Sequence, residues 1–258
     1  MAYYHSEGII LRTQDFGEND KLITLLSPLQ GKYSCLAKGA KKLNSSFVGK
    51  LEPLNQLSLF LARGKNLDIL SQVKVIDHNQ TLKENLELMA FAFFYLELFE
   101  NLTIPYEKSS AFYKLLLTLL SGLKKGFAPR LLTCWGEIIL LKLSGFFPLM
   151  DQCVICKEKP KPPCYFSFKN GGIICAKCRG SEQDAMPLKE TTLKLYLFLA
   201  QAKPQTLKNR LSPSEEMIVE LEDLLNRYIG SILGKSLKSW LFAQALLHPA
   251  NRLAIIDQ

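Results

Sequence analysis

The sequence predicts an α+β multidomain protein, with a small β-barrel over residues 1–80 and an all-α domain over residues 81–258. The helical domain carries an inserted four-cysteine module at about residues 150–182. Three observations support this prediction: five short apolar runs before residue 77, helical periodicity after it, and two Cys-x-x-Cys pairs within the helical part. With 258 residues, 48% of them hydrophobic, the chain can form one or two packed domains.

The predicted barrel consists of five strands that are rich in apolar or β-branched residues. They lie at residues 3–12, 21–27, 32–38, 54–62 and 67–75. Turn formers separate them, for example in the stretch FGEND at residues 16–20. In the fourth run, the leucines at 57, 59 and 61 alternate with Ser58 and Phe60, which indicates one buried face and one outer face.

Helices are predicted beyond residue 77, where apolar residues recur at intervals of three and four. The first stripe consists of Leu82, Leu86, Met89, Phe93 and Leu96. Its opposite side is apolar as well, which indicates a core helix packed between neighbours. The proline at 129 opens a further helix, and the stretch SPSE at residues 212–215 has the form of a capping box with proline at the first helical position.

The two cysteine pairs have the spacing of a zinc site. Cys153 and Cys156 are followed, after an eighteen-residue spacer, by Cys175 and Cys178. Two residues inside each pair let both sulfurs of one turn reach a single ion, and the spacer is long enough for a returning ribbon. The alternatives are buried thiols or disulfides. Cys164, inside the spacer, could replace one of the four ligands, but we interpret it as a small core-facing residue. Four thiolates leave zinc no open position, so the predicted zinc is structural.

The net charge of +8, from 32 basic and 24 acidic residues, favours a polyanionic partner such as nucleic acid. The clearest cluster is at residues 38–50, where glycines and serines surround four lysines without an acidic neighbour in sequence. We predict a mobile loop that follows a phosphate backbone, with an aromatic ring on which a base stacks. These residues are Lys38, Lys41, Lys42, Lys50 and the aromatic Phe47. The alternative is a solvated connection between strands.

Enzymatic signatures are missing from the sequence. The histidines at 5, 78 and 248 are isolated, and there is no nucleophile elbow or two-metal acidic cluster. Residues 230–236, GSILGKS, resemble a phosphate-binding loop, but only three residues separate their glycines where four are required, so we interpret them as a helix break. The sequence therefore predicts a protein that is not an enzyme.

The cysteine count and the apolar runs bear on location. Seven cysteines, an odd number, without a signal-peptide pattern favour a reducing cytoplasm over a disulfide framework. The longest apolar run, residues 88–96, is far shorter than the about 20 residues that a membrane-spanning helix needs. We therefore expect a cytoplasmic protein with no membrane partner.

Several motifs, in order along nearly the whole chain, resemble the bacterial RecO recombination mediator family. They are EGIILR at 7–12, FGEND at 16–20, AKGAKK at 37–42, LEP at 51–53, SGFFP at 144–148, FSF at 166–168 and LGKSLKS at 233–239. The resemblance implies an N-terminal OB-fold and a helical domain with an inserted zinc module. By position, it also implies that the family's basic loop corresponds to the four lysines above and that Arg12 lies in its first-strand motif.

The resemblance also implies a function. Family members bind single- and double-stranded DNA and anneal complementary strands without a nucleotide requirement. They act with RecR to replace single-strand-binding protein by the RecA recombinase, at the bacterial nucleoid. Two other classes remain open from the residues alone: a zinc-ribbon RNA-binding or ribosome-associated protein, and a metal-dependent nuclease.

Overall fold

A computed structural model describes residues 2–182, 184–209 and 212–247. The chain divides into two compact units, residues 1–120 together with the chain from Lys238 onward, and residues 121–237. Helices follow the strands from about residue 80, as the sequence predicts. The first helices, however, belong to the same compact unit as the barrel. His248 and the rest of the predicted helical domain after residue 247 lie outside the described residues.

The first unit is built on a closed barrel of five strands, all of which the sequence predicts. They are β1 (Tyr3–Phe16), β2 (Asp20–Ser27), β3 (Gly31–Ala37), β4 (Gln56–Ala62) and β5 (Asp68–Asp77). The strand order is β1-β2-β3-β5-β4, antiparallel except between β3 and β5, which is the topology of an OB-fold. A bulge between Ile10 and Arg12 bends β1, so that its first half pairs with β4 and its second half with β2.

Alternating apolar side chains fill the barrel. Leu57, Leu59 and Leu61 of β4 are almost fully buried, whereas Ser58 and Phe60 between them are partly exposed on the outer face. This confirms the predicted alternation. Each buried leucine stabilises the fold by about 1.5–3 kcal/mol relative to an exposed one, so the inner face fixes the register of β4.

Helices α1 (Gln80–Lys83), α2 (Leu86–Leu102), α8 (Lys238–Leu247) and most of α3 (Ser110–Lys124) complete the first unit. Phe91 and Tyr95 of α2 are fully buried, as expected for a core helix. Leu86 and Phe93, however, are exposed, so the stripe predicted to be its main buried face is only partly buried. The helical conformation is interrupted between α1 and α2. Asn85 caps α2 by accepting a hydrogen bond from the backbone N–H of Leu88.

The second unit combines helices with a short ribbon. Its helices are α4 (Pro129–Leu143), α5 (Glu190–Leu199), α6 (Pro204–Asn209) and α7 (Glu215–Leu233). The ribbon consists of β6 (Cys164–Ser167), β7 (Gly172–Cys175), β8 (Met186–Leu188) and a 3-10 helix at Ala176–Ser181, with strand order β7-β6-β8. It occupies the position of the predicted four-cysteine module.

The ends of α4 and α7 test the predicted helix signals. Pro129 lies at the start of α4, as predicted. The predicted capping residue of α7 is wrong by two positions. Ser214, not Ser212, caps the helix, and its hydroxyl accepts a hydrogen bond from the Met217 N–H. Gly234 ends α7 in the left-handed conformation, which confirms a helix break in place of a phosphate-binding loop.

Within the described ranges, no helix is both long enough and apolar enough to cross a membrane.

Candidate functional site

Residues 38–55, which join β3 to β4, form a series of tight turns that we call the basic loop. Its backbone is bonded to the barrel at both ends. The N–H of Gly39 donates to the Asp20 carboxylate at 2.7 Å, and the N–H of Lys41 donates to the Asn19 carbonyl at 2.9 Å. Near the other end, the Thr13 hydroxyl donates to the Leu51 carbonyl at 2.8 Å. The loop is thus hydrogen-bonded to the barrel at both ends, and its predicted mobility stays a prediction.

The lysines of the basic loop reach solvent. Lys38, Lys41 and Lys42 are exposed, and Lys50 is partly exposed. Lys41 is paired with Asp15 of β1 at 2.7 Å, and this hydrogen bond lowers the pKa of the Asp15 carboxyl. The other three lysines form no ion pair with any described residue. The four lysines have no acidic neighbour in sequence, but folding brings Asp15 of β1 beside Lys41.

Phe47 lies in the barrel core and not on the predicted nucleic-acid interface. Its side chain is only 8% exposed and belongs to the barrel core, together with Ala40 and Leu51 of the same loop. The ring anchors the basic loop from below, because a long polar connection needs apolar contacts to hold one conformation. Phe47 therefore presents no face on which a base could stack, and its predicted role in nucleic-acid contact is wrong.

Arg12 lies on the outer surface of the barrel, directly after the β1 bulge. Its guanidinium donates to the Glu100 carboxylate of α2 at 3.3 Å, and its side chain is 51% exposed. Such a pair is worth little in water and leaves the guanidinium able to exchange its partner for a phosphate. Sequence reasoning missed both acidic partners, Glu100 and Asp15, because they lie 88 and 26 residues from the groups they bind.

The four predicted metal ligands come together in the ribbon. The sulfur atoms of Cys153, Cys156, Cys175 and Cys178 all lie within 4.8 Å of one another. The sulfurs of Cys156 and Cys175 are 3.8 Å apart. Zinc bonds thiolates at about 2.3 Å, so a tetrahedral four-thiolate site has sulfur–sulfur edges of about 3.8 Å. The residues present therefore fit a closed, tetrahedral metal site.

The local backbone prepares this cluster for a cation. The turn after Cys153 closes with a bond from the Lys157 N–H to the Cys153 carbonyl at 2.9 Å, with Lys157 in the left-handed conformation. Burial opposes ionisation of Cys153, but backbone N–H groups, including those of Cys156 and Cys175, lower its pKa to about 6. Burial and the neighbouring thiols raise the pKa of Cys178 to about 12, so a second thiolate in the cluster is unfavourable without a cation.

Cys164 stands outside the cluster. It is buried on β6, opposite Cys175, and is absent from the group of four converging sulfurs. This agrees with its interpretation as a core-facing residue. The ribbon is attached to α7 by the ring of Phe166, which packs edge-on against Tyr228 with centroids 5.3 Å apart.

The chain is similar to known proteins over most of its length. The family models described as recombination protein O N terminal and C terminal match residues 1–79 and 83–241. A Roseiflexus protein (strain RS-1) named DNA repair protein RecO is 32% identical over 240 residues, which cover 93% of this chain and 84% of the relative. Proteins of the same name from Dehalococcoides mccartyi (strain CBDB1) and Bacillus subtilis (strain 168) are 31% and 30% identical, over 94% and 90% of this chain and 96% and 91% of theirs.

Proposed function

The chain belongs to the recombination protein O family of DNA repair proteins, and we propose that it acts as a recombination mediator. In this proposal it binds single- and double-stranded DNA and anneals complementary strands. With RecR as a partner, it loads RecA onto strands coated by single-strand-binding protein. It performs no covalent chemistry and works in the bacterial cytoplasm at the nucleoid.

The observation that carries this proposal is the basic loop. Lys38, Lys41 and Lys42 are exposed on a backbone that the barrel holds in place. Lysines on a fixed frame lose less conformational freedom on binding than lysines on a free chain, so each phosphate contact costs less entropy. Arg12 and Lys50 extend the proposed contact surface.

Charge neutralisation explains how such a surface promotes annealing. Two complementary strands repel each other through their phosphates, and a protein that contacts both releases condensed cations into solution. A separate contact with single-strand-binding protein would raise the local concentration of the complex where unpaired strands are exposed. Neither step requires a bond-breaking group.

The second unit has a supporting role in this proposal. We propose that Cys153, Cys156, Cys175 and Cys178 hold a structural zinc ion. When bound, the ion supplies four bonds that lock the two cysteine turns together. All four positions around it are thiolates, so this chain's own residues leave no place for an activated water.

Annealing of complementary DNA strands coated with single-strand-binding protein, without nucleotide, tests the proposal. The unmodified chain should accelerate duplex formation, as measured by loss of donor fluorescence between labelled strands. The double variant Lys41→Glu and Lys42→Glu should lower DNA affinity about a hundredfold and flatten its salt dependence. Lys108→Glu with Lys114→Glu, at exposed positions outside the basic loop, changes the net charge equally and should leave annealing near the parent rate.

Four outcomes would contradict parts of the proposal. No acceleration by the unmodified chain at modest ionic strength would refute the mediator function. Equal loss in both double variants would show that net charge acts without the basic loop. Preferential annealing of matched RNA strands, or magnesium-dependent loss of labelled DNA, would favour an RNA-binding protein or a nuclease.

A further inference from the structure

Three aromatic rings form a cluster on the outer face of the barrel. Tyr3 of β1 stacks on Phe60 of β4, with ring centroids 5.2 Å apart and planes within 9° of parallel. His5 of β1 also contacts Phe60, with ring centroids 4.7 Å apart and planes tilted by 40°. We call these three rings the aromatic platform. It lies near the start of β1, whereas the basic loop contacts Asp15 near the end of the same strand.

The register of β1 and β4 creates the platform. His5 is directly opposite Phe60, and Tyr3 is the diagonal neighbour within reach of an aromatic side chain. Because side chains alternate along a strand, Tyr3 and His5 point outward while Tyr4 packs against the barrel core. OB-folds commonly bind oligonucleotides on strands 2 and 3, so the platform on β1 and β4 is a separate surface.

The platform is open to solvent. Tyr3 is 55% exposed even though one face of its ring is stacked on Phe60, and His5 is exposed as well. A cross-strand aromatic pair stabilises the sheet, but that role does not require so large an aromatic surface in water. An exposed stack of parallel rings is the kind of surface on which a nucleobase continues the stack.

A lysine lies on the same face of the sheet as the platform. Lys74 of β5 is exposed beside Ser58 of β4, on the outer face. Arg63, in the turn between β4 and β5, places its guanidinium over the Tyr4 ring, 5.2 Å from the centroid, and so on the core-facing side of β1 and away from the platform. Lys74 is therefore a cation within the face along which a stacked strand would run.

The nearby carboxylates already have hydrogen-bond partners. Glu7 accepts from the Tyr113 hydroxyl at 2.7 Å and from the Gln56 amide at 2.9 Å. Asp68 accepts from the hydroxyl of Tyr4 and from the N–H of Gly64. Glu7 nevertheless lies exposed on the outer face that carries Lys74, so the charge beside the platform is mixed. The open aromatic rings are therefore what favour a strand with flat, unpaired bases.

We propose that the aromatic platform binds the unpaired bases of a single nucleic-acid strand by stacking, while Lys74 neutralises an adjacent phosphate. This rests on the proposed DNA-binding function and adds strand discrimination to it. Bases within a duplex are already stacked and cannot reach Tyr3, whereas the basic loop contacts phosphates of either form. The barrel thus has one surface for any DNA and another for unpaired DNA.

Tyr3→Ser tests the proposal, with Tyr106→Ser as the matched control. Both tyrosines are highly exposed, at 55% and 62%, but Tyr106 lies outside the platform. Affinity is measured by fluorescence anisotropy for a single strand, for an abasic single strand of equal length and for a duplex. Tyr3→Ser should weaken binding of the normal strand about tenfold, through the loss of one stacked base. Its affinities for the abasic strand and the duplex should match the parent.

The salt dependence gives a second readout. Stacking neutralises no phosphate, so Tyr3→Ser should leave the slope of log affinity against log salt unchanged. In the unmodified chain, a single strand carrying iodouracil should photo-crosslink to Tyr3, His5 or Phe60. This readout needs no variant and so does not depend on how a substitution affects the fold.

The outcomes separate this inference from the proposed function. Normal duplex binding with unchanged single-strand affinity in Tyr3→Ser would overturn the platform and leave the mediator function standing. An equal loss on the abasic strand, or the same loss in Tyr106→Ser, would also overturn it. Failure of the unmodified chain to bind any DNA would overturn both.

Discussion

The two compact units hold their candidate sites by different means. The barrel surrounds a core of 13 buried hydrophobic residues, and three of these, Ala40, Phe47 and Leu51, belong to the basic loop itself. The ribbon has strands of only three or four residues, and its own small core consists of Cys153, Ile174, Cys175 and Ala185. Two of those four residues are predicted metal ligands.

This difference shows how each region obtains a fixed shape. Closing a barrel satisfies the backbone of every strand and buries enough apolar surface to hold an attached loop. The three-stranded ribbon has shorter strands and a smaller cluster of its own, so packing offsets less of its conformational entropy. In the proposed metal-bound state, the ion would supply the ribbon with the constraint that the barrel obtains from packing.

Removal of the metal should have the largest effect on folding, and only the ribbon should be affected. Cys153→Ala removes a ligand, and the apparent binding energy of a structural zinc is on the order of 10 kcal/mol. We expect backbone amides at residues 149–188 to lose their protection from hydrogen exchange, while amides of β1 to β5 keep theirs.

Cys164→Ala is the matched control for that measurement. It removes a buried thiol of the same ribbon that lies outside the cluster, so one metal ion per chain should be retained. Bound metal is measured by elemental analysis of the purified chains. Unchanged protection in Cys153→Ala, with no metal in the parent, would show that the ribbon folds without an ion.

Substitution of Phe47 tests how much core packing contributes to the stability of the barrel and its basic loop. Phe47→Ala should destabilise the first unit by about 3–5 kcal/mol in urea unfolding, because it removes a ring from a packed core. Phe47→Leu keeps most of the apolar volume and should cost less than about 1.5 kcal/mol. If Phe47→Leu folds normally but binds single-stranded DNA tenfold more weakly, the ring contacts bases and its assignment to the core is incomplete.

A smaller effect is expected from Glu137 of α4, which is fully buried. Among the described residues, neither of its carboxylate oxygens has a hydrogen-bond partner. Burial, reinforced by the charge of Glu222, raises its pKa well above the ordinary value. The folded chain therefore holds a proton at Glu137 that the unfolded chain releases above about pH 4.3. This contribution to stability is fully present below that pH and falls, by up to about 1.4 kcal/mol per pH unit, as the pH rises toward the folded pKa.

Glu137→Gln removes this titration. The stability of the variant relative to the parent should therefore increase between pH 5 and pH 7, as measured by urea unfolding of the second unit. Glu190→Gln makes the same substitution at an exposed position of the same unit and controls for the change in charge. A difference between Glu137→Gln and the parent that stays constant with pH would show that Glu137 is ionised in the folded chain.

Local sequence determined the order of the elements and the four converging cysteines. Each of these patterns involves residues that lie close together in sequence: the composition of each of the five strands, the proline at the start of α4 and the spacing within each cysteine pair. Such a local pattern predicts the same feature whatever the rest of the fold. The helix cap shows the limit of this precision: two serines two residues apart both suit the position, and only the backbone geometry selects Ser214.

Tertiary structure alone decided which side chains of the predicted interface reach solvent. Phe47 and the basic loop's lysines are neighbours in sequence, yet the ring turns into the barrel and the lysines turn out. Likewise, Tyr3 and Phe60 are far apart in the chain and stack only because β1 pairs with β4 in one register. Sequence patterns specify what a segment prefers locally, whereas burial and long-range pairing depend on how the whole barrel closes, which no single segment encodes.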